Sequence, residues 1–214
     1  MKGIMFTEPL FKAIIAGKKS QTRRIVKHPD YDFLGSSRPI IDTDGVSVIF
    51  WEGSIACVVH PHYYPGETVY LKEPYYDASD GDLFFKYDFH GKDNIPVNFE
   101  FYDNPKWKNK MFMSEKFARY YIKITNVRVE LLMNITEEDA RKEGCKIFGI
   151  TLYNNSGVAV QTIIRGDAKK DFENLWDSIN VKWNRRHDDY RGYTFEDNPF
   201  VWVYEFELVN YPRP

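Results

Sequence analysis

Residues 6–24 read FTEPLFKAIIAGKKSQTRR. The stretch reads as a short helix that stops at a glycine and passes into a basic, hydroxyl-bearing loop. Thr7 is a candidate N-cap. Glu8 and Pro9 suit a first turn, one by its charge and one by its fixed φ. Leu10, Phe11, Ile14 and Ile15 fall on one face at helical spacing, and Gly17 is the expected stop. Lys18, Lys19, Arg23 and Arg24 then place four cations within seven residues, with Ser20, Gln21 and Thr22 among them. A basic loop after a helix is most often a solvated surface that complements the helix dipole. A chemical reading stands beside that one. Lys19 sits among three other cations, which disfavour its charged form. A partly neutral lysine can act as a base toward a hydroxyl, here Thr22.

Working outward, TVYLKE at 68–73 alternates as a strand, with Val69, Leu71 and Glu73 on one face. Glu73 is thus in line with apolar neighbours and needs a partner or an opening to solvent. A surface strand end and a site role both remain open for it. Residues 120–132 form a long strand whose apolar face flips near Thr125-Asn126, where a bulge or bend is expected. ITEEDARKEG at 135–144 is a compact helix capped by Thr136 and stopped by Gly144. Its last carboxylate, Glu143, is electrostatically misplaced at a helix C-terminus and calls for a nearby cation.

Asp167 caps a helix to about Asn180, with Phe172, Leu175, Trp176 and Ile179 as its apolar stripe. The stretch PFVWVYEFELV reads as a half-buried last strand, Trp202, Tyr204, Phe206 and Leu208 inward and Glu205 and Glu207 outward. Residues 46–51 and 54–59 pair as strands, 27–45 read as loop, and 181–198 are polar and irregular. The stretch 77–110 alternates aromatics with charges. It reads as strands with a satellite apolar cluster or, more sharply, as a stacking surface over a basic groove.

A length of 214 residues suits one domain. Net charge of −2 gives no global pull toward nucleic acid, so any anion site is local. Cys57 and Cys145 are too few for a disulfide framework and lack metal spacing. His60-Pro61-His62 has no evident third ligand. No apolar run approaches the roughly 20 residues of a membrane span, and no signal-like segment is visible. The expected setting is cytoplasmic, with no membrane, metal or cofactor.

Five segments then fall in one order. Gly17 to Arg24 fits G-x-K-x-x-T-x-R, a pattern of the ASCH domain family. GETVYLKEPYY at 66–76, ITEEDARKEG at 135–144, FENLWDSIN at 172–180 and NPFVWVYEFELV at 198–209 resemble further segments of it. The chain resembles a longer, phage-type ASCH member. That implies an α+β, PUA-like, mostly antiparallel β-barrel with a few flanking short helices. It implies a single domain over 1–214, with insertions near 28–50, 80–105 and 147–166.

The family's usual description implies binding of RNA or a nucleotide in a basic cleft. The expected cleft residues are Lys19, Arg23, Arg24 and Lys72, with Glu73 and Tyr75 at the strand end. One small bacterial branch is an amidohydrolase that deacylates N4-acetylcytidine. Its lysine, threonine and glutamate carry over to Lys19, Thr22 and Glu143. Thr22 would attack, Lys19 would take its proton, and Glu143 would orient Lys19 or serve the leaving amine. Arg24 would stabilise negative charge. Another branch is described as ribonucleases. A phage accessory protein that binds a host protein is the third reading, with the protein partner left open.

Overall fold

The structure is a computed structural model. It describes residues 1–27, 39–52, 54–78, 81–88, 106–145, 149–153, 159–164, 167–184, 189–191 and 193–210. The order along the chain begins β1 (Gly3–Met5), α1 (Glu8–Ile15), β2 (Gln21–Ile25), β3 (Ile40–Ile41), β4 (Val48–Glu52) and β5 (Ile55–Val59). It continues with β6 (Thr68–Lys72), β7 (Tyr75–Asp77), β8 (Leu83–Phe85), β9 (Tyr121–Leu131) and α2 (Glu137–Lys142). It ends with β10 (Gly149–Tyr153), β11 (Ala159–Ile164), α3 (Ala168–Asn180), β12 (Lys182–Asn184), β13 (Asp189–Arg191) and β14 (Phe200–Val209).

Five strands form the main sheet in the order β1-β6-β9-β14-β2. β1 runs parallel to β6, and the other pairs are antiparallel. A three-stranded sheet, β3-β4-β5, and three two-stranded pairs complete a mixed α+β, mostly antiparallel architecture. Among the described residues no barrel closes, because β1 and β2 are the two edges. The sheet is nevertheless curled. Arg24 on one edge strand donates to the Met5 carbonyl on the other at 3.1 Å.

The curl has a visible cause. Glu205 faces Asn126 and Phe206 faces Ile124, so Thr125 is an extra residue in β9. This bulge sits where the apolar parity of the sequence flips, and bulges bend a strand and raise its twist.

One face of the sheet carries Val127, Val129, Trp202, Tyr204 and Phe206, covered by Phe11 and Ile14 of α1 and by Val48 of β4. The other carries Val201 and Val203 under Phe172 and Trp176 of α3. Burying each such side chain stabilises the fold by about 1.5–3 kcal/mol.

Three expectations give way. Residues 21–25 are a strand, because β14 offers them a ladder from Val201 to Glu205. β14 is not half-buried in its first half: Val201 to Tyr204 are all buried, since the strand lies between two neighbours and under both layers. The polar stretch after Asn180 holds the hairpin β12–β13. Of the expected insertions, 28–38, 80, 89–105, 147–148, 154–158 and 165–166 lie outside the described residues.

Candidate functional site

Two helix ends meet at the residues the sequence singled out. α1 closes with Gly17 donating to the Ile14 carbonyl and Lys18 to that of Ala13. α2 closes the same way, Gly144 to Arg141 and Cys145 to Ala140. Both glycines adopt positive φ, +67° and +91°, as this double-bonded stop requires. The two stops are joined by the Ser20 amide donating to the Lys142 carbonyl at 2.9 Å. A Cβ on Gly144 would lie 3.4 Å from that of Lys19, so the glycine also permits the close approach.

Lys19 Nζ is buried in the junction. It donates to Gln21 O at 2.7 Å, Glu143 O at 2.8 Å and Glu143 Oε2 at 2.7 Å. Three acceptors match the three donors of an ammonium. The C-terminal dipole of α2 favours the same charge. Burial pulls the Lys19 pKa below the ordinary lysine value, with Glu143 opposing it. The cation that Glu143 calls for is therefore Lys19, with Arg23 as a second.

Arg23 Nη1 donates to Glu143 Oε1 at 3.0 Å and to Gln21 Oε1 at 2.7 Å. Its Nε and Nη2 donate to Glu130 at 3.1 and 2.6 Å, and Nη2 also pairs with Asp139 at 3.3 Å. The guanidinium lies 5.7 Å from the Phe172 ring. Arg128 extends the network to Glu130, Asp139 and Glu205. With no exposed side-chain surface, Arg23 is a structural cation and not a contact for phosphate. Glu130, Asp139 and Arg128 are the partners that sequence reasoning missed. They sit more than a hundred residues from Arg23, and only the register of β9 and the packing of α2 bring them in.

Thr22 and Arg24 point to the other face of β2, beside Tyr204 and Trp202 in the ladder. Thr22 is buried. Arg24 lies 5.2 Å from the Phe6 ring, which also faces Lys19 Nζ at 5.8 Å. Its hydrogen bonds are to the Met5 carbonyl and, at 3.4 Å, to that of Arg23. Among the described residues it has no carboxylate partner within ion-pair distance. Burial pulls its pKa down, while Glu143, Tyr63 and Tyr204 pull it up. Half-buried, Arg24 has donors beyond the two that carbonyls take among the described residues.

Lys72 is the ladder partner of Met5, so one strand separates it from Arg24. Its Nζ donates to the Met111 carbonyl at 3.0 Å. Glu73 and Tyr75 do not face this cluster. Glu73 is fully buried and held by Arg119 through two bonds, at 2.9 and 2.8 Å. Burial raises the Glu73 pKa and Arg119 opposes it. Tyr75 is buried against Phe117 at 4.9 Å. Both are committed to packing, and Arg119 is the partner that the alternation at Glu73 required.

Among the described residues no group of three His, Cys, Asp or Glu could hold a metal ion. His60 instead shares a 2.8 Å hydrogen bond with Ser47. No helix of the described residues is long and apolar enough to cross a membrane. No family model, curated protein or solved structure matches this chain.

Proposed function

We propose that this chain is an ASCH-like module that binds RNA or a nucleotide at the Arg24 face of β2. The observation that carries the reading is Arg24 itself. It is a half-buried guanidinium without a carboxylate partner among the described residues, set on the ring of Phe6. Such a group suits a phosphate, through charge-assisted and planar hydrogen bonds. Lys19 Nζ lies 5.8 Å from the same ring and adds positive potential. The curled sheet, its edges bridged by Arg24, supports a PUA-like pseudo-barrel as the frame. Two free cysteines agree with a cytoplasmic setting.

The test is titration of a single-stranded RNA and of a cytidine nucleotide at low and rising salt. The Arg24→Gln variant should bind about tenfold more weakly, with a shallower salt dependence. A folded wild-type protein that binds neither ligand at low salt sinks the reading.

The Lys19–Glu143 contact favours a second reading, deacylation of an N4-acylcytidine. At 2.7 Å the Lys19 proton can pass to the Glu143 carboxylate, leaving a neutral amine as base. Thr22, three residues on, is the hydroxyl that the family resemblance assigns as nucleophile. Cytidine release from N4-acetylcytidine by wild type, and not by Thr22→Ala or Lys19→Met, is the expected outcome of that reading. No release by folded wild type leaves binding alone.

A further inference from the structure

Residues 106–112, Lys106-Trp107-Lys108-Asn109-Lys110-Met111-Phe112, interleave cations with aromatic and apolar side chains. They border a groove of about 410 Å³, lined by Lys86, Tyr87, Trp107, Lys108, Lys110 and Glu8. The underside of the groove is fixed. Lys110 Nζ donates to the Phe6 carbonyl and, at 3.3 Å, meets the Tyr87 hydroxyl. Tyr87 is buried edge-on to Phe11, 5.0 Å between ring centres.

The mouth of the groove carries cations that are at most weakly paired among the described residues. Lys86 is exposed and has no ion pair among the described residues. Lys108 reaches Asp77 at 3.4 Å, with both side chains largely in solvent, a weak pair at best. The one carboxylate in the lining, Glu8, is held by Lys12 at 2.5 Å. Beside the groove Phe112 is 77% exposed and Met111 55%. Weakly paired cations suit phosphates, and aromatic faces suit bases of any sequence.

We propose that this groove binds a single-stranded RNA segment, with Lys86 and Lys108 on phosphates and Trp107 against a base. The inference takes its ligand class from the reading above but stands on different residues. Beneath the surface the two regions share the buried Phe6, whose ring lies near Arg24 and whose carbonyl holds Lys110.

The experiment is titration of the full chain with a short fluorescent oligouridylate across a range of salt. The double variant Lys86→Gln/Lys108→Gln should bind at least tenfold more weakly at low salt. Its slope of log affinity against log salt should be shallower by about 1.4, the loss of two single-strand phosphate contacts. Trp107→Ala should lose about tenfold with the slope unchanged, and Trp107→Phe should recover most of it. Lys142→Gln/Lys170→Gln removes equal charge elsewhere and should bind as wild type.

Wild-type affinity and slope in the groove variant overturn the proposal. So does equal weakening by both double variants, or competition by polyglutamate as effective as by RNA. Arg24→Gln separates the two surfaces. Loss with Arg24→Gln but not with the groove variants sinks this inference and keeps the earlier one. The reverse result does the opposite.

Discussion

Arg23 and Arg24 are neighbours in the chain and opposites in the fold. Arg23 points under α2 and α3, where Glu130, Asp139 and Glu143 surround it and its side chain has no exposed surface. Arg24 points toward Phe6 and Met5, where its hydrogen bonds among the described residues go to carbonyls and a ring lies beside it. The strand's twofold alternation makes the difference, sending adjacent side chains to opposite faces. Two identical residue types thus take a scaffold role and, on the proposed reading, a ligand-facing role. Basic density in a sequence shows where charge is concentrated, and only the strand register shows which of it is available.

The harshest way to break this comparison is Arg23→Met. It leaves three carboxylates around an apolar side chain, and losing one partner of a buried ion pair costs about 3–5 kcal/mol. Denaturant unfolding should show a loss of that size. Arg24→Gln should stay within about 1 kcal/mol of wild type, since no carboxylate depends on it. Equal losses in the two variants would remove the distinction between the faces.

A pH series sharpens it next. Burial holds the folded-state pKa of Lys19 below 10.5. Between that lowered value and 10.5 the unfolded chain binds more protons at this residue than the folded chain. Stability contributed by Lys19 therefore rises with pH through that window, and it is lost as pH falls through the folded pKa. The difference between wild type and Lys19→Met isolates the effect from other titrations. It should grow in favour of wild type by at most about 1.4 kcal/mol per pH unit. A flat difference toward pH 10.5 would mean that Glu143 fully offsets the burial of Lys19.

A milder probe exchanges the roles. Arg24→Lys keeps the charge and removes the planar fork. RNA affinity should fall several-fold, less than in Arg24→Gln, with stability unchanged. Affinity equal to wild type would show that the site senses charge alone.

Much of this was readable before the fold. The stops at Gly17 and Gly144, the cap at Thr136, the bend at Thr125 and the need of Glu143 for a cation are local or short-range signals. The structure shows each of them in place. Less readable was whatever depended on distant partners. QTRRI reads as solvated because it is polar, yet it lies in a ladder with β14 and its charges are matched by β9 and α2. Glu73 looked like a site candidate until Arg119, itself bonded to Asp88, supplied its counter-charge. Periodicity marked β14 as one-sided because Glu205 and Glu207 dominate its second half. The buried first half, Val201 and Val203 included, needed knowledge of the second layer.

The smallest expected effect tests whether the two faces are independent. Thr136 accepts a hydrogen bond from the Asp139 amide at 3.1 Å and so fixes the first turn of α2. Asp139 in turn takes Gln21 at 3.1 Å and pairs with Arg23, so the cap supports the scaffold face. Thr136→Ala should cost about 1 kcal/mol, the usual loss for an N-cap. If the Arg24 face is held by β14 and Phe6 alone, RNA affinity under conditions where the variant is fully folded should not change. A parallel loss of affinity would mean that α2, through Glu143, sets the position of the ligand-facing groups. The separation between Arg23 and Arg24 would then be one of exposure but not of function.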